Sequence, residues 1–402
     1  MRILHTADWH LCNKLGDNFR NDRTEDQFLR VAEVARLCTE HEVDVLVVAG
    51  DIFCDRASNE QIDKALKDIH KLFAEFFRGG GTILAITGNH DRDVKMNMVR
   101  IGMQLAVPQG YSGGELASGR MYIQNNPGVA VLKSKRCAKV QFVLLPYPNT
   151  YRYALDTQAG TSRELVNSQV RQSVLDQVKY HAGKLDTTLQ TVLVAHLNVS
   201  GSETNALYRL SEADDHMFAF SDLQTHWAYV ALGHIHKPQK LGGAEHVRYP
   251  GSLDRLDFGE THDDHGVLLC DIVPGQPVVP KHLPIAATPF WTITLDDPDT
   301  QLPEWVAKAD AEPRAIVLVH VESLGSFSRD ELQRAIRSAF PRLHDVRWNL
   351  RDAFHTVPIT VNRKAEFTTV VRDYVTAQTT GEDDQAEVLD LLETYLAQGE
   401  SA

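Results

Sequence analysis

The stretch Thr82-Ile-Leu-Ala-Ile-Thr-Gly-Asn-His-Asp91 decides the reading of this chain. A short apolar, β-rich run stops at Gly88, which allows a sharp turn, and Asn89, His90 and Asp91 follow at once. Such a run forms a buried strand, and open α/β sheets place their ligands beyond the carboxyl ends of their strands. Four other runs share the pattern. Residues 1–6 lead into Asp8-Trp-His10, 43–49 into Gly50-Asp51, 191–195 into His196, and 229–232 into Gly233-His-Ile-His236. Asp, His and Asn side chains therefore stand at five strand ends, where they can converge on metal.

The 402 residues leave room for two or three domains, and a 43% hydrophobic composition supplies a sizeable core. A net charge of −13 argues against a generic polyanion-coating protein. It leaves nucleic acid open, because bound divalent cations or a partner protein supply positive charge locally. The five cysteines, Cys12, Cys38, Cys54, Cys137 and Cys270, are dispersed and lack Cys-x-x-Cys spacing, which argues against disulfides and a cysteine zinc site. The opening residues carry no apolar signal segment and no run reaches membrane-spanning length, so a cytoplasmic protein without a membrane partner is expected.

Along the chain, Thr24-x-x-Gln27 has capping-box spacing ahead of the stripe Phe28, Val31, Ala32, Ala35, Cys38. Ser58-x-x-Gln61 opens a second helix with the stripe Ile62, Ala65, Leu66, Ile69, Phe73, Phe76. Strands alternating with helices are α/β wiring. Residues 94–190 are less regular, with strands at 129–132 and 141–145 and a helix over 162–180. The basic window Lys133–Lys139 fits a solvated hairpin or a phosphate-contacting patch. Pro274, Pro277, Pro280, Pro284 and Pro289 mark a domain boundary. Beyond it, apolar runs at 290–295, 315–321 and 346–350 and a helix capped by Ser328-x-x-Glu331 make a small α+β unit. The tail carries two amphipathic helices, with stripes Phe367, Val370, Val371, Tyr374 and Val388, Leu391, Leu392, Tyr395. Alone they cannot bury both stripes, so they dock on their own chain or await a partner.

Carboxylate and imidazole donors suit a borderline divalent ion such as Mn²⁺, Fe²⁺ or Zn²⁺. In an extended segment, Asp8-x-His10 would put both side chains on one face, as would His234-x-His236. Asp8, His10, Asp51 and His236 are expected on one ion, and Asp51, Asn89, His196 and His234 on the other. Asp51 bridges, since a carboxylate has two oxygens to share. Two ions about 3.5–4 Å apart clamp the oxygens of an in-line displacement at phosphorus, so phosphoester hydrolysis is the expected reaction. His90 is left to stabilise the transition state or protonate the leaving oxygen, with Asp91 fixing its orientation or capping the turn.

These motifs together resemble the calcineurin-like metallophosphoesterase pattern. Within it the chain resembles the SbcD family, the bacterial counterpart of the nuclease subunit in double-strand-break repair complexes. The resemblance rests on Arg2-Ile-Leu-His-Thr-Ala-Asp-Trp-His-Leu11, Gly233-His-Ile-His-Lys-Pro238 and Tyr249-Pro-Gly-Ser-Leu-Asp-Arg-Leu-Asp-Phe-Gly-Glu260, and spans nearly the whole chain. It implies a four-layer α/β/β/α nuclease domain over 1–280, a capping domain over 287–362, and a helix-loop-helix at 363–402 that grips an SbcC-type, SMC-like ATPase. It also implies a homodimer that uses Mn²⁺ for 3′→5′ exonuclease and endonuclease cleavage of DNA in repair. The family assigns the ligand and catalytic roles above to the matching positions. The sequence departs from the family at Cys54, where members often carry His or Asp, with Asp55 one position on as a substitute.

Two rival readings stand beside this one. A phosphatase or phosphodiesterase for small esters would need neither capping domain nor helical tail. A non-catalytic DNA-end scaffold would be expected to lack one or more ligands, and none is missing here.

Overall fold

The computed structural model describes residues 1–13, 23–105, 115–135, 138–153, 161–204, 216–223 and 227–350. Strands β1 (Arg2–Thr6), β2 (Val45–Ala49) and β3 (Thr82–Ile86) form at the first three apolar runs. Helices α1 (Thr24–Glu40), α2 (Asn59–Leu72) and α3 (Ala74–Arg78) lie between them. After α4 (Asp93–Leu105) and β4 (Met121–Gln124) come the hairpin β5 (Gly128–Lys133) and β6 (Lys139–Leu145), then α5 (Arg163–Ala182) and β7 (Gln190–His196). A short pair, β8 (Asn198–Val199) and β9 (Met217–Phe218), precedes β10 (Tyr229–Gly233), β11 (Gln239–Leu241), β12 (Ala244–Tyr249), β13 (Gly266–Asp271) and β14 (Lys281–Pro284).

Two six-stranded sheets result, in the orders β14-β13-β1-β2-β3-β4 and β11-β12-β10-β7-β6-β5. Strands β1 to β4 run parallel, as do β6, β7, β10 and β12. Val47 pairs with His5 on one side and Leu84 on the other, so the ends of β1, β2 and β3 emerge at one edge.

Residues of β2 alternate between two cores. Val45, Val47 and Ala49 join Phe142, Val192, Val194 and Ala231 of the second sheet. Leu46 and Val48 face Val31, Val34 and Ile69 of α1 and α2. On the far side, Val174 and Val178 of α5 cover Leu193 and Leu232. These are the four expected α/β/β/α layers. Strands buried on both faces have no solvent side to mark with polar residues, which is why the runs are continuously apolar. Each such Val or Leu contributes about 1.5–3 kcal/mol by leaving water.

Several local expectations need correction. Thr24 is the first residue of α1 rather than its cap; Arg23 holds the cap position, and its side chain makes no hydrogen bond to the helix end. The Ser58–Gln61 and Ser328–Glu331 capping boxes both form, and Ser162 caps α5. The stripe from Ile62 to Phe76 breaks at Phe73 into α2 and α3. Helix α4 occupies part of the segment expected to be irregular. Strand β14 and buried Ile285 belong to the first sheet and its core, so that unit runs past residue 280.

The remaining unit is wound β15 (Phe290–Leu295), α6 (Pro298–Ala311), β16 (Ile316–Val321), α7 (Arg329–Ala339), β17 (Leu343–Trp348), with all three strands parallel. Helix α6 gives no clear signal in the sequence because Pro298 and Pro303 lie in it; the first of these is welcome in an opening turn. The core of this unit is separate, built on Ile293, Val317, Val319, Leu332 and Ile336. Asp26 of α1 receives both Arg314 Nη1 at 3.1 Å and Arg342 Nη2 at 2.5 Å, tying this unit to the sandwich. The two amphipathic helices expected within 363–402 fall outside the described residues. Among the described residues no helix is long and apolar enough to cross a membrane.

Candidate metal centre

Five strand ends deliver the site: β1 to Asp8 and His10, β2 to Asp51, β3 to Asn89, β7 to His196, and β10 to His234 and His236. The backbone at these ends is not extended, as the Asp-x-His spacing had implied. Asp8, His10, Asp51 and His234 have φ of 52°, 45°, 50° and 100°. Each non-glycine residue held there costs about 1–3 kcal/mol, which persists only where the surroundings impose it. Here Asp8 N donates to Gly50 O at 3.0 Å, and His10 N to Asp51 O at 2.9 Å. His234 N donates to the Asp8 carboxylate at 3.1 Å. Asp8 and His10 thus meet because the β1 and β2 loops are laced together.

Two glycines allow the close approach. A Cβ on Gly50 would stand 2.1 Å from His196 Nδ1, and one on Gly88 would stand 2.1 Å from Asp51 Oδ1.

The donor atoms face one another. Asp51 Oδ2 lies 3.5 Å from His10 Nε2 and 3.3 Å from His196 Nε2. Asn89 Oδ1 lies 3.1 Å from both His196 Nε2 and His234 Nδ1. Among the described residues, Asp8/His10/His236, Asp8/Asp51/His196 and His10/Asp51/His90 each present donor atoms within 4.8 Å of one another. Donors about 2.1 Å from a shared ion and roughly at right angles or tetrahedral are about 3.0–3.4 Å apart, which matches this spacing. His10 Nε2 and Asp51 Oδ2 are buried without a hydrogen-bond partner, an expensive state that a cation between them relieves. The residues present therefore fit divalent ions. His196 Nδ1 donates to Ala49 O at 2.7 Å, which turns its Nε2 towards the centre.

Burial and charge set the protonation of this cluster. Burial pushes His10 well below the usual histidine range, although Asp51 opposes it. Burial would lower His196 as well, but the Asp51 carboxylate and then Asp8 override it and raise the group to about 9. His236 follows the same pattern, raised to about 9 by Glu260 against its burial. Burial and then the Asp51 charge push Asp91 up to about 6, against three backbone donors.

A family model described as calcineurin-like phosphoesterase matches residues 1–238. The chain belongs to that family. It is a metal-dependent phosphoesterase by family membership and by the donor clusters above. It is similar to the SbcD component of the SbcCD nuclease of Rhodobacter capsulatus, 27% identical over 299 residues that cover 71% of this chain and 69% of the relative. The component of the same name from Escherichia coli K12 is 27% identical over 355 residues, 84% of this chain and 82% of the relative. That from Bacillus subtilis is 26% identical over 278 residues, covering 69% and 67%. These relatives bear out the SbcD resemblance seen in the motifs.

The candidate site is also supported by residues that its motifs do not single out. Gln27 Nε2 donates to His10 O at 2.8 Å and its Oε1 accepts from Cys12 N at 2.9 Å, so the first turn of α1 pins the β1 loop. The spacing of Gln27 from Thr24 signals a helix cap, not this contact. Glu260, within a quoted motif but given no role there, accepts from Ser252 Oγ at 2.7 Å and Leu256 N at 3.1 Å. Of the two parts expected of Asp91, orienting His90 or capping the turn, its contacts bear on the turn: its carboxylate takes hydrogen bonds from Ile52 N, Phe53 N and Gly88 N and makes none to the His90 ring. Three backbone donors on Asp91, one of them from Gly88, hold the turn in place. Cys54 is buried with its thiol 3.1 Å from Cys12 O, whereas Asp55 is exposed.

Proposed function

We propose that this chain is a DNA nuclease subunit that hydrolyses phosphodiesters with two divalent ions, Mn²⁺ by preference. The observation that carries the reading is the meeting of Asp51 Oδ2 with His10 Nε2 and His196 Nε2 at 3.3–3.5 Å, with Asn89 and His234 beside them. Asp8, His10, Asp51 and His236 would hold one ion, and Asp51, Asn89, His196 and His234 the other. When bound, the ions supply Lewis acidity to the phosphoryl oxygens and acidify the attacking water.

The protein's own groups then divide the remaining work. Asn89 is exposed and the non-ligand His90 half-buried, whereas the ligand candidates besides Asn89 are buried, so substrate enters on the side of Asn89 and His90. His90 N donates to Asp51 Oδ1 at 2.8 Å, which fixes the turn over the bridging carboxylate. In this reading its imidazole is the group that protonates the leaving oxygen. Asp91 serves that step through the turn.

That the relatives are named as a component of the SbcCD nuclease supports DNA as substrate; 3′→5′ exonuclease and endonuclease action is what the motif resemblance adds to that reading. The relatives' name equally supports a partner subunit; that this partner is an SMC-like ATPase bound by residues 363–402, and that the place of action is cytoplasmic, rests on the motif resemblance. The unit from Phe290 to Trp348, held on α1 by Asp26, would be the capping domain. On α4 the apolar side chains Val94, Met98 and Ile101 are 72%, 58% and 44% exposed at helical spacing, which supports a homodimer through that face.

The test is Mn²⁺-dependent cleavage of an end-labelled duplex by the purified protein, beside a p-nitrophenyl phosphodiester. Shortening from the 3′ end that His90→Ala lowers at least about 100-fold, to a small residual rate, is expected. Turnover of the small ester with intact DNA would replace the nuclease reading by a small-ester phosphodiesterase. Metal binding with neither activity would make the chain a scaffold.

A further inference from the structure

The turn that presents His90 is closed from behind by a single guanidinium. Arg152 is buried, with its side chain 1% exposed. Its Nη1 donates to Gly88 O at 2.8 Å and Tyr147 O at 3.2 Å, with Thr87 O at 3.4 Å. Its Nη2 donates to Asp91 O at 2.8 Å, and its Nε to Asp93 Oδ1 at 2.5 Å. Thr87, Gly88 and Asp91 bracket Asn89 and His90. The N–H groups on the other side of the turn are taken by carboxylates: Gly88 N by Asp91, and His90 N by Asp51. These polar groups, which set the path of the turn, are thus each bound to a charge.

We propose that Arg152 is a positioning residue for the reaction, acting through His90 by clasping the carbonyls of its turn. The statement rests on the role given to His90 above. Five donors in a rigid plane can serve carbonyls of two segments and a carboxylate at once, which three donors on a lysine ammonium cannot. The loop from Pro146 to Tyr153 is itself built for this: Tyr147 N donates to Thr87 O at 2.9 Å, and Asn149 bonds both Arg152 N and Asp93. An imidazole displaced by an ångström loses in-line contact with the leaving oxygen, at a cost of about 100-fold in rate.

The experiment is a double-mutant cycle with Arg152→Lys and His90→Ala on Mn²⁺-loaded full-length protein cleaving duplex DNA. Arg152→Lys is expected to lower kcat about 10–100-fold with little change in KM, and to cost almost nothing further in the His90→Ala background. A purely structural Arg152 would give additive losses, which overturns the proposal. A second readout is the His90 ring signal in histidine-labelled chelated protein, identified by its loss in His90→Ala. It should shift or broaden in Arg152→Lys, and an unmoved signal also overturns the proposal. Should Arg152→Lys fail to fold, Asp93→Asn loosens the same guanidinium from its half-buried side and takes its place in the cycle. If His90→Ala keeps full activity, the role of His90 fails, and the ring signal alone decides whether Arg152 holds the turn.

Discussion

His236 Nδ1 lies 3.0 Å from Glu260 Oε1, and Glu260 is fully buried. The carboxylate fixes the ring and makes its other nitrogen a better donor, an arrangement common behind metal-bound imidazoles. Glu260→Gln keeps the shape and removes the charge. Mn²⁺ affinity by titration calorimetry is expected to fall about 10-fold or more, with the melting temperature little changed. Unaltered affinity would remove His236 from the ligand set.

The two raised histidines predict proton release on metal binding. His196 and His236 titrate near 9, so in chelated protein both imidazoles carry protons at neutral pH. A cation must displace them, so affinity falls as pH drops below 9 and rises towards it. Calorimetry in buffers of differing ionisation enthalpy should report about two protons released at pH 7.5 for full loading. Release near zero would mean that other groups hold the metal.

The sequence made the site legible because its residues stand at the ends of apolar runs, and each run is short enough to number its last residue. Asp8, Asp51, Asn89, His196 and His236 could be placed from that alone. What stayed hidden depends on contacts between segments far apart in the chain. Nothing near Arg152 says that it lies beneath Gly88, and Gln27 reaches His10 only once α1 lies against the β1 loop. The left-handed backbone at Asp8 and His10 was hidden for a similar reason, since non-glycine residues there give no local sign. The layers were legible from strands apolar on both faces, whereas α6 was masked by its prolines.

Gly88 leaves no room for a side chain. A Cβ there would stand 2.1 Å from Asp51 Oδ1 and 2.5 Å from Asp51 N, and the latter cannot move without β2. Gly88→Ala is expected to weaken metal binding and to lower DNA cleavage about 100-fold, while overpacking costs about 1–3 kcal/mol of stability. Gly128→Ala, with nothing within 4 Å of its added Cβ, is the control and should leave activity unchanged. Equal activity in the two variants would mean that Asp51 tolerates displacement.

His5 predicts a loss of stability in mild acid. It lies between the sheets, where Nε2 donates to Leu232 O at 3.2 Å and Nδ1 accepts from the Tyr229 hydroxyl at 2.9 Å. Burial lowers its pKa from 6.5 to about 3, against the carbonyl bond. The unfolded chain takes up this proton near pH 6.5 and the folded chain only near pH 3, so stability is lost as pH falls through that window. At pH 5 the loss relative to pH 7 is about 2 kcal/mol from this group. His5→Leu has no such proton to bind, though it leaves Tyr229 without its acceptor and so starts less stable. Denaturant unfolding of both chelated proteins at pH 7 and pH 5 should show the wild type losing about 2 kcal/mol more than the variant. Because the ligand histidines are common to both, their own titration cancels in that difference, and equal losses would mean that His5 is protonated inside the sandwich.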